Sequence, residues 1–195
     1  MNEREVLELL RSSGAVLEGH FLLSSGRHSD LYVEKFRLFE RPKIAAALGA
    51  TLAGRLRGRQ IEVVLSPAVG AIVFGFAVSL ALEARFVFAE RDGEALVLRR
   101  GFAIGEGERV AVIEDVVTTG RSLGEVLGLV PPGELVGVGC LLDRSERSGG
   151  MELPSALTSL ARLEAESWGP ESCPLCAQGA PLTAPGSRHL APGDR

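Results

Sequence analysis

From Ile61 onward the chain alternates short apolar runs with helix-like stretches. IEVVL is followed by an apolar segment from Pro67 to Leu82, then RFVFA, a hairpin-like EALVLRR, RVAVI, a helix after Ser122, and LVGVGCLL. Runs of β-branched residues that stay apolar at every position belong to strands covered on both faces, and their alternation with helices builds a parallel sheet. The expected fold is α/β, a mostly parallel central sheet flanked by helices. Ligands in such sheets bind at loops leaving the carboxyl ends of strands. The informative loops are then Ser66 to Ala71, Glu90 to Gly101, Glu114 to Ser122 and Asp143 to Arg147.

The first quarter follows a different pattern. Asn2 can cap a helix whose Glu5 occupies the reciprocal position, with Val6, Leu7, Leu9 and Leu10 as its apolar face, ending near Gly14. Ala15 to Val33 reads as extended pieces around the turn Ser24-Ser25-Gly26, and Pro42 opens a helix through about Arg57. The expected organisation is one domain: residues 1–60 as helix, small N-terminal hood and linking helix, 61–150 as the ligand-binding α/β core, 151–185 as a C-terminal strand (Leu157 to Leu163) and Cys-Pro-Leu-Cys segment, and 186–195 as a disordered tail.

With 25 acidic against 21 basic residues, the chain lacks the basic balance of a nucleic-acid binder. Any anionic substrate must be held by local basic groups, because the overall field repels it. The N-terminus lacks the apolar run of a secretory signal. Pro67 to Leu82 falls short of the ~20 residues a membrane span needs and contains Gly70, Gly75 and Ser79, so it reads as a buried helix. Three cysteines form no even framework, which points to a reducing cytoplasm.

The most specific segment is Arg109-Val-Ala-Val-Ile-Glu114-Asp115-Val116-Val117-Thr118-Thr119-Gly120-Arg121-Ser122. It joins a buried strand to an acidic pair and then to a turn that opens a helix. Successive N–H groups and hydroxyls from Thr118 to Ser122 suit a phosphate dianion, and Gly120 permits close backbone approach. Two carboxylates directly before that cradle would repel the phosphate unless they face something else. A ribose diol suits Glu114 and Asp115, since both can accept its hydrogen bonds. No lysine follows the glycine, which separates this loop from that of P-loop nucleoside triphosphatases.

This segment closely resembles the phosphoribosyl pyrophosphate (PRPP) motif of the type I phosphoribosyltransferases. Phe21-Leu-Leu-Ser-Ser25-Gly26-Arg27-His28-Ser-Asp30-Leu-Tyr32 is similar to the N-terminal pattern of the orotate phosphoribosyltransferases, and Cys140-Leu-Leu-Asp143-Arg144-Ser-Glu146-Arg147 resembles their Asp-Arg-x-Glu. The resemblance covers most of Leu17 to Arg147, and the tail from Cys173 through Pro181 is similar to that of one bacterial subgroup. It implies Mg2+-dependent transfer of ribose 5-phosphate from PRPP to orotate, in pyrimidine (UMP) biosynthesis, by a homodimer.

On that resemblance PRPP would be bound by Glu114, Asp115, Val116, Val117, Thr118, Thr119, Gly120, Arg121 and Ser122, with Arg91. Pyrophosphate would lie on Pro67, Ala68, Val69 and Gly70, and orotate on Thr118, Arg144, Ser25 and Gly26. A guanidinium at Arg144 can grip the orotate carboxylate with two parallel hydrogen bonds. Asp115 and Arg91 are the expected catalytic residues. Magnesium would be held by pyrophosphate oxygens, ribose hydroxyls and water, so no dedicated protein metal site is expected.

The chain departs from the family pattern in its basic residues. The mobile loop that often carries two lysines and a histidine reads Glu90-Arg91-Asp92-Gly93-Glu94, Ser24 stands where lysine is common, and Val69-Gly70 replace another frequent lysine. Arg91, Arg99 and Arg100 are the candidate replacements, Arg91 being nearest to the usual position. The PRPP motif alone also fits a purine or xanthine enzyme of the same fold, or a PRPP-binding regulator without catalysis. Cys173-Pro-Leu-Cys176 has the spacing of half a zinc site, with His189 as a distant third ligand; without a fourth, the expectation is a structural turn with two free thiols, zinc or a redox pair being the alternatives.

Overall fold

The computed structural model describes residues 1–23, 25–145 and 156–185. Ser24, Glu146, Arg147, His189 and the tail 186–195 lie outside them.

The chain opens with helix α1 (Glu3–Ser12), started as the sequence implies: Asn2 Oδ1 accepts from Glu5 N at 3.0 Å while Asn2 N donates to Glu5 Oε2 at 2.8 Å. Val6 and Leu10 are fully buried on its inner face. Strands β1 (Val16–Leu22) and β2 (His28–Val33) form an antiparallel hairpin, the hood, followed by the short α2 (Phe36–Phe39). Helix α3 (Pro42–Leu56) begins at the proline that has no N–H to leave unpaired.

The core then alternates as expected: β3 (Val63–Pro67), α4 (Ile72–Leu82), the hairpin β4 (Arg85–Asp92) and β5 (Ala95–Leu98), β6 (Val110–Val117), α5 (Arg121–Leu127), β7 (Leu135–Asp143) and β8 (Leu157–Arg162). The six strands lie in the order β5-β4-β3-β6-β7-β8; only β5 runs antiparallel to its neighbour. The two-residue β9 (Ser167–Trp168) pairs with β2, and the chain ends in a 3-10 turn (Pro170–Ser172) and α6 (Pro174–Ala177).

Two hydrophobic clusters cover the faces of the sheet. One joins α1, α3 and α4 to β6, β7 and β8; the other packs α5 and the β5 edge against β3, β4 and β6. This double cover explains the uninterrupted apolar runs. Helices α3 and α4 meet so closely at Gly49 that a side-chain carbon there would stand 2.5 Å from the Ala77 carbonyl carbon.

One expectation is corrected. The apolar helix α4 is not buried all round: Val73, Phe76 and Leu80 are exposed, Phe76 by 56% and Leu80 by 66%. They recur at three- and four-residue spacing and so share one outward face. No helix among the described residues is long and apolar enough to cross a membrane.

Candidate active site

β3 and β6 are neighbours in the sheet, yet the chain builds outward from them in opposite directions, to β4 on one side and to β7 on the other. The loops after β3 and β6 therefore diverge and open a crevice at their carboxyl ends. The pyrophosphate-type loop, the acidic pair and the Thr-Thr-Gly turn all fall there.

Glu114 and Asp115 lie in the last half of β6, almost wholly buried at 6% and 3% exposed. Glu114 Oε1 accepts from Asp115 N at 3.0 Å, and Asp115 Oδ1 accepts from Val116 N. Lys35 Nζ lies 2.6 Å from Asp115 Oδ2, at ion-pair distance though outside hydrogen-bond geometry. The loop after β3 touches the same carboxylate: a side chain at Gly70 would overlap Asp115 Oδ2 and come within 2.8 Å of Lys35 Nζ. The Ala68–Val69 peptide in this loop is cis, and Ala68 N donates to Ala89 O at 2.7 Å.

Burial, and then the charge of Asp115, push the Glu114 carboxyl well above its ordinary 4.5. The folded state therefore holds a proton that the unfolded chain gives up, and stability falls as pH rises above 4.5 through the raised value. Glu114→Gln removes that dependence. The melting-temperature advantage of Glu114→Gln over the parent chain should widen between pH 5 and pH 8; parallel pH profiles would sink the assignment.

The turn after β6 leaves Thr118 and Thr119 exposed and enters α5 at Gly120, whose φ of +75° explains the glycine. Residues 116–123 with Glu114 line a small concavity.

Arg144 follows β7 directly, and its N–H donates to Val117 O at 2.8 Å, which sets it beside the acidic strand end. Asp143 shapes this turn: Oδ1 accepts from Ser145 N at 2.9 Å and Ser145 Oγ at 2.6 Å, while Oδ2 meets Arg162 Nη1 at 2.9 Å. Burial lowers the Arg144 pKa and the nearby Asp30 carboxylate opposes the shift. Among the described residues Arg144 Nε and Asp30 Oδ1 are buried without hydrogen-bond partners, an arrangement that suits a polar ligand.

The hairpin arginines are engaged with carboxylates. Arg91 Nη1 pairs with Glu125 Oε2 on α5, whose Oε1 also takes Arg121 Nε at 3.1 Å; Arg99 pairs with Asp92 at 2.7 Å and Arg100 with Glu90 at 2.7 Å. The arginine side chains in these pairs are 40% to 77% exposed, so such contacts are weak enough to exchange. Sequence reasoning missed Lys35. Only two lysines occur in the chain, Lys35 and Lys43, which was the available signal.

Ser25 and Gly26 form the exposed tip of the hood hairpin. Among the described residues no hydrogen bond joins them to Arg144 or to the acidic pair; the adjacent Arg27 instead donates from Nε to Ser167 Oγ at 3.0 Å. A wider concavity of about 720 Å³ opens between the hood and the C-terminal segment, lined by His20, Asp30, Leu175 and Thr183 among others, and none of the acidic pair, the cradle or Arg144 borders it.

No protein-family model matches the chain. It is 44% identical over 192 residues to the orotate phosphoribosyltransferase of Thermoanaerobacter sp. strain X514, covering 97% of this chain and 100% of that one. The Thermotoga maritima enzyme of the same name is 44% identical over 187 residues, 95% and 99% of the two chains. Among solved structures, Mycobacterium tuberculosis H37Rv orotate phosphoribosyltransferase superposes with a TM-score of 0.62 at 27% identity, over 83% of this chain and 95% of that one. A chain that matches such relatives from end to end, and folds as they do, belongs to the orotate phosphoribosyltransferase family.

Proposed function

We propose that the crevice at the carboxyl ends of β3, β6 and β7 transfers ribose 5-phosphate from PRPP to orotate, giving orotidine 5'-monophosphate and pyrophosphate in pyrimidine biosynthesis. The observation that carries the reading is the convergence of a buried acidic pair, a Thr/Gly/Ser cradle and a partly unsatisfied buried arginine on adjacent strand ends. Orotate consumption with pyrophosphate release, measured with PRPP and magnesium, tests it. Adenine, hypoxanthine, xanthine and uracil serve as controls; activity on one of them in place of orotate would overturn it.

In this reading nitrogen 1 of orotate attacks the anomeric carbon as the bond to pyrophosphate breaks. No protein nucleophile is needed, so the residues act by positioning and by field. The 5-phosphate lies on Thr118 to Ser122, and the acidic pair receives the ribose hydroxyls. Arg144 grips the orotate carboxylate, with Thr118 beside it and the Ser25-Gly26 tip closing from the hood.

The donor set suits magnesium that arrives on the substrate. Asp115 Oδ1 is taken by Val116 N and Oδ2 faces Lys35, which leaves the pair to bind hydroxyls or ordered waters of a hydrated ion rather than to cage it. When bound, the ion would offset charge on the leaving pyrophosphate.

The positive charge that the mobile loop's lysines usually provide falls to Lys35, with Arg91 able to leave Glu125 for the substrate. Lys35→Met should reduce kcat by about 10- to 100-fold, and Arg91→Ala by less. An unchanged rate in Lys35→Met would return the role to the hairpin arginines.

The exposed apolar face of α4, Val73, Phe76 and Leu80, fits a homodimer contact. Sedimentation should give two chains per particle, and Phe76→Glu with Leu80→Glu should give one; a monomeric parent chain would overturn this. We place the enzyme in a reducing cytoplasm.

A further inference from the structure

Away from the crevice, four metal-binding side chains from distant parts of the chain converge. His20 on β1 and His28 on β2 face each other across the hood hairpin, with His20 Nε2 2.9 Å from His28 Nδ1. Cys173 Sγ lies 3.4 Å from His20 Nε2, and Cys176 Sγ lies 3.3 Å from His28 Nδ1 and 3.7 Å from His20 Nε2. One donor atom from each residue falls within 4.8 Å of all the others. A tetrahedral zinc ion with ordinary Zn–N and Zn–S bonds needs donor separations of about 3.3 to 3.8 Å. The cluster is thus near the required size before any ion draws it in.

The orientation of His20 adds an independent constraint. Its Nδ1 stands 2.9 Å from the Ala180 carbonyl oxygen, which can only accept, so Nδ1 carries the proton and Nε2 turns its lone pair into the cluster. His20, His28 and Cys173 are buried, at 5%, 5% and 4% exposed. The cysteines bracket a tight turn, Cys173 at the start of α6 and Gly179 N closing back onto Cys176 O at 3.0 Å.

Hydrogen bonds also join the hood to the C-terminal segment, Leu22 N to Thr183 O and Thr183 N to His20 O at 2.8 Å and Ser29 Oγ to Glu166 O at 2.9 Å, but little apolar packing supports them. Between Leu17 and Asp30 only His20, Phe21, His28 and Ser29 are buried among the described residues, and neither hydrophobic cluster includes a described residue from 17 to 30 or from 164 to 185. β9 contributes only two residues to the hood sheet. Small units without a core of their own are commonly stapled by a metal.

We propose that His20, His28, Cys173 and Cys176 form a closed structural zinc site that ties the hood hairpin to the C-terminal segment. A two-sulfur, two-nitrogen set is soft enough to select zinc over magnesium or calcium, and four protein donors leave no open position for catalysis. The site would hold β2 in place, and β2 carries Asp30, whose carboxylate acts on Arg144. Zinc here is thereby a support for the hood side of the substrate crevice and is separate from the magnesium that accompanies PRPP.

The test is elemental analysis of the untagged full-length protein, purified under reducing conditions and dialysed against metal-free buffer. About one zinc per chain is expected. Cys176→Ser and His28→Asn should each fall below about 0.2 zinc per chain, while Cys140→Ser, a buried thiol outside the cluster, should keep it. Replacement by cobalt should give the visible bands of a tetrahedral thiolate site, and strong chelators should lower the melting temperature by about 5–10 °C. Wild-type protein that holds no zinc and gives no cobalt spectrum would overturn the proposal even if the variants fail to fold. Iron in place of zinc would overturn the identity of the ion.

Discussion

Asp115→Asn is expected to lower turnover about a hundredfold or more, the scale associated with losing one preorganised electrostatic contact at a reacting centre, while the circular dichroism spectrum stays unchanged. The fold should survive because Asn keeps an oxygen to accept from Val116 N and has nearly the same shape. What is lost is the charge that faces Lys35 at 2.6 Å and that would strengthen hydrogen bonds from the ribose hydroxyls. Lys35 is 27% exposed at its side chain, so water can solvate it once its partner is neutral. Steady-state rates at saturating PRPP and orotate read the effect directly, and an unchanged kcat would remove Asp115 from the site.

Arg144→Ala should raise the orotate KM by thirty-fold or more, on the estimate that truncating one side of a buried charge pair costs about 2–5 kcal/mol. The PRPP KM should shift by less than about threefold, since additivity across separate subsites leaves the phosphate cradle untouched. Arg144→Lys should recover only part of the loss, because an ammonium cannot present two parallel N–H groups to a carboxylate. Equal increases in both Michaelis constants would mean that Arg144 supports the whole crevice and does not read the base. The buried Nε, which has no hydrogen-bond partner among the described residues, is what favours the first case: its N–H is left to donate to a ligand.

The core strands and the PRPP-type segment were legible because their signals are local. An apolar run of β-branched residues reports a doubly covered strand wherever that strand lies, and β3, β6 and β7 appear where those runs stand. The capping box at Asn2 and Glu5, the proline at the start of α3 and the glycine at the entry to α5 are likewise decided by residues a few positions apart. The acidic pair and cradle occupy adjacent positions in the chain, so their joint chemistry could be inferred before any folding was known.

Three features escaped for one common reason: each depends on residues brought together across long separations. Lys35 meets Asp115 only because the hood delivers it to the mouth of β6. The outward face of α4 could not be recognised from a segment apolar on every side, since only the placement of α3 and the sheet determines which residues are covered. Chain order points the Cys173–Cys176 turn to His189, which lies outside the described residues, whereas the histidines beside it are His20 and His28, about 150 positions earlier.

By itself the sequence determined the α/β class, the strand and helix alternation, and the segment able to cradle a phosphate beside two carboxylates. Only the tertiary structure decided which charged groups face that segment, which apolar face stays uncovered, and which histidines meet the paired thiols. Backbone propensity and periodicity act over a few residues, while electrostatic partners and metal donors are chosen by proximity in space, which the chain order does not record.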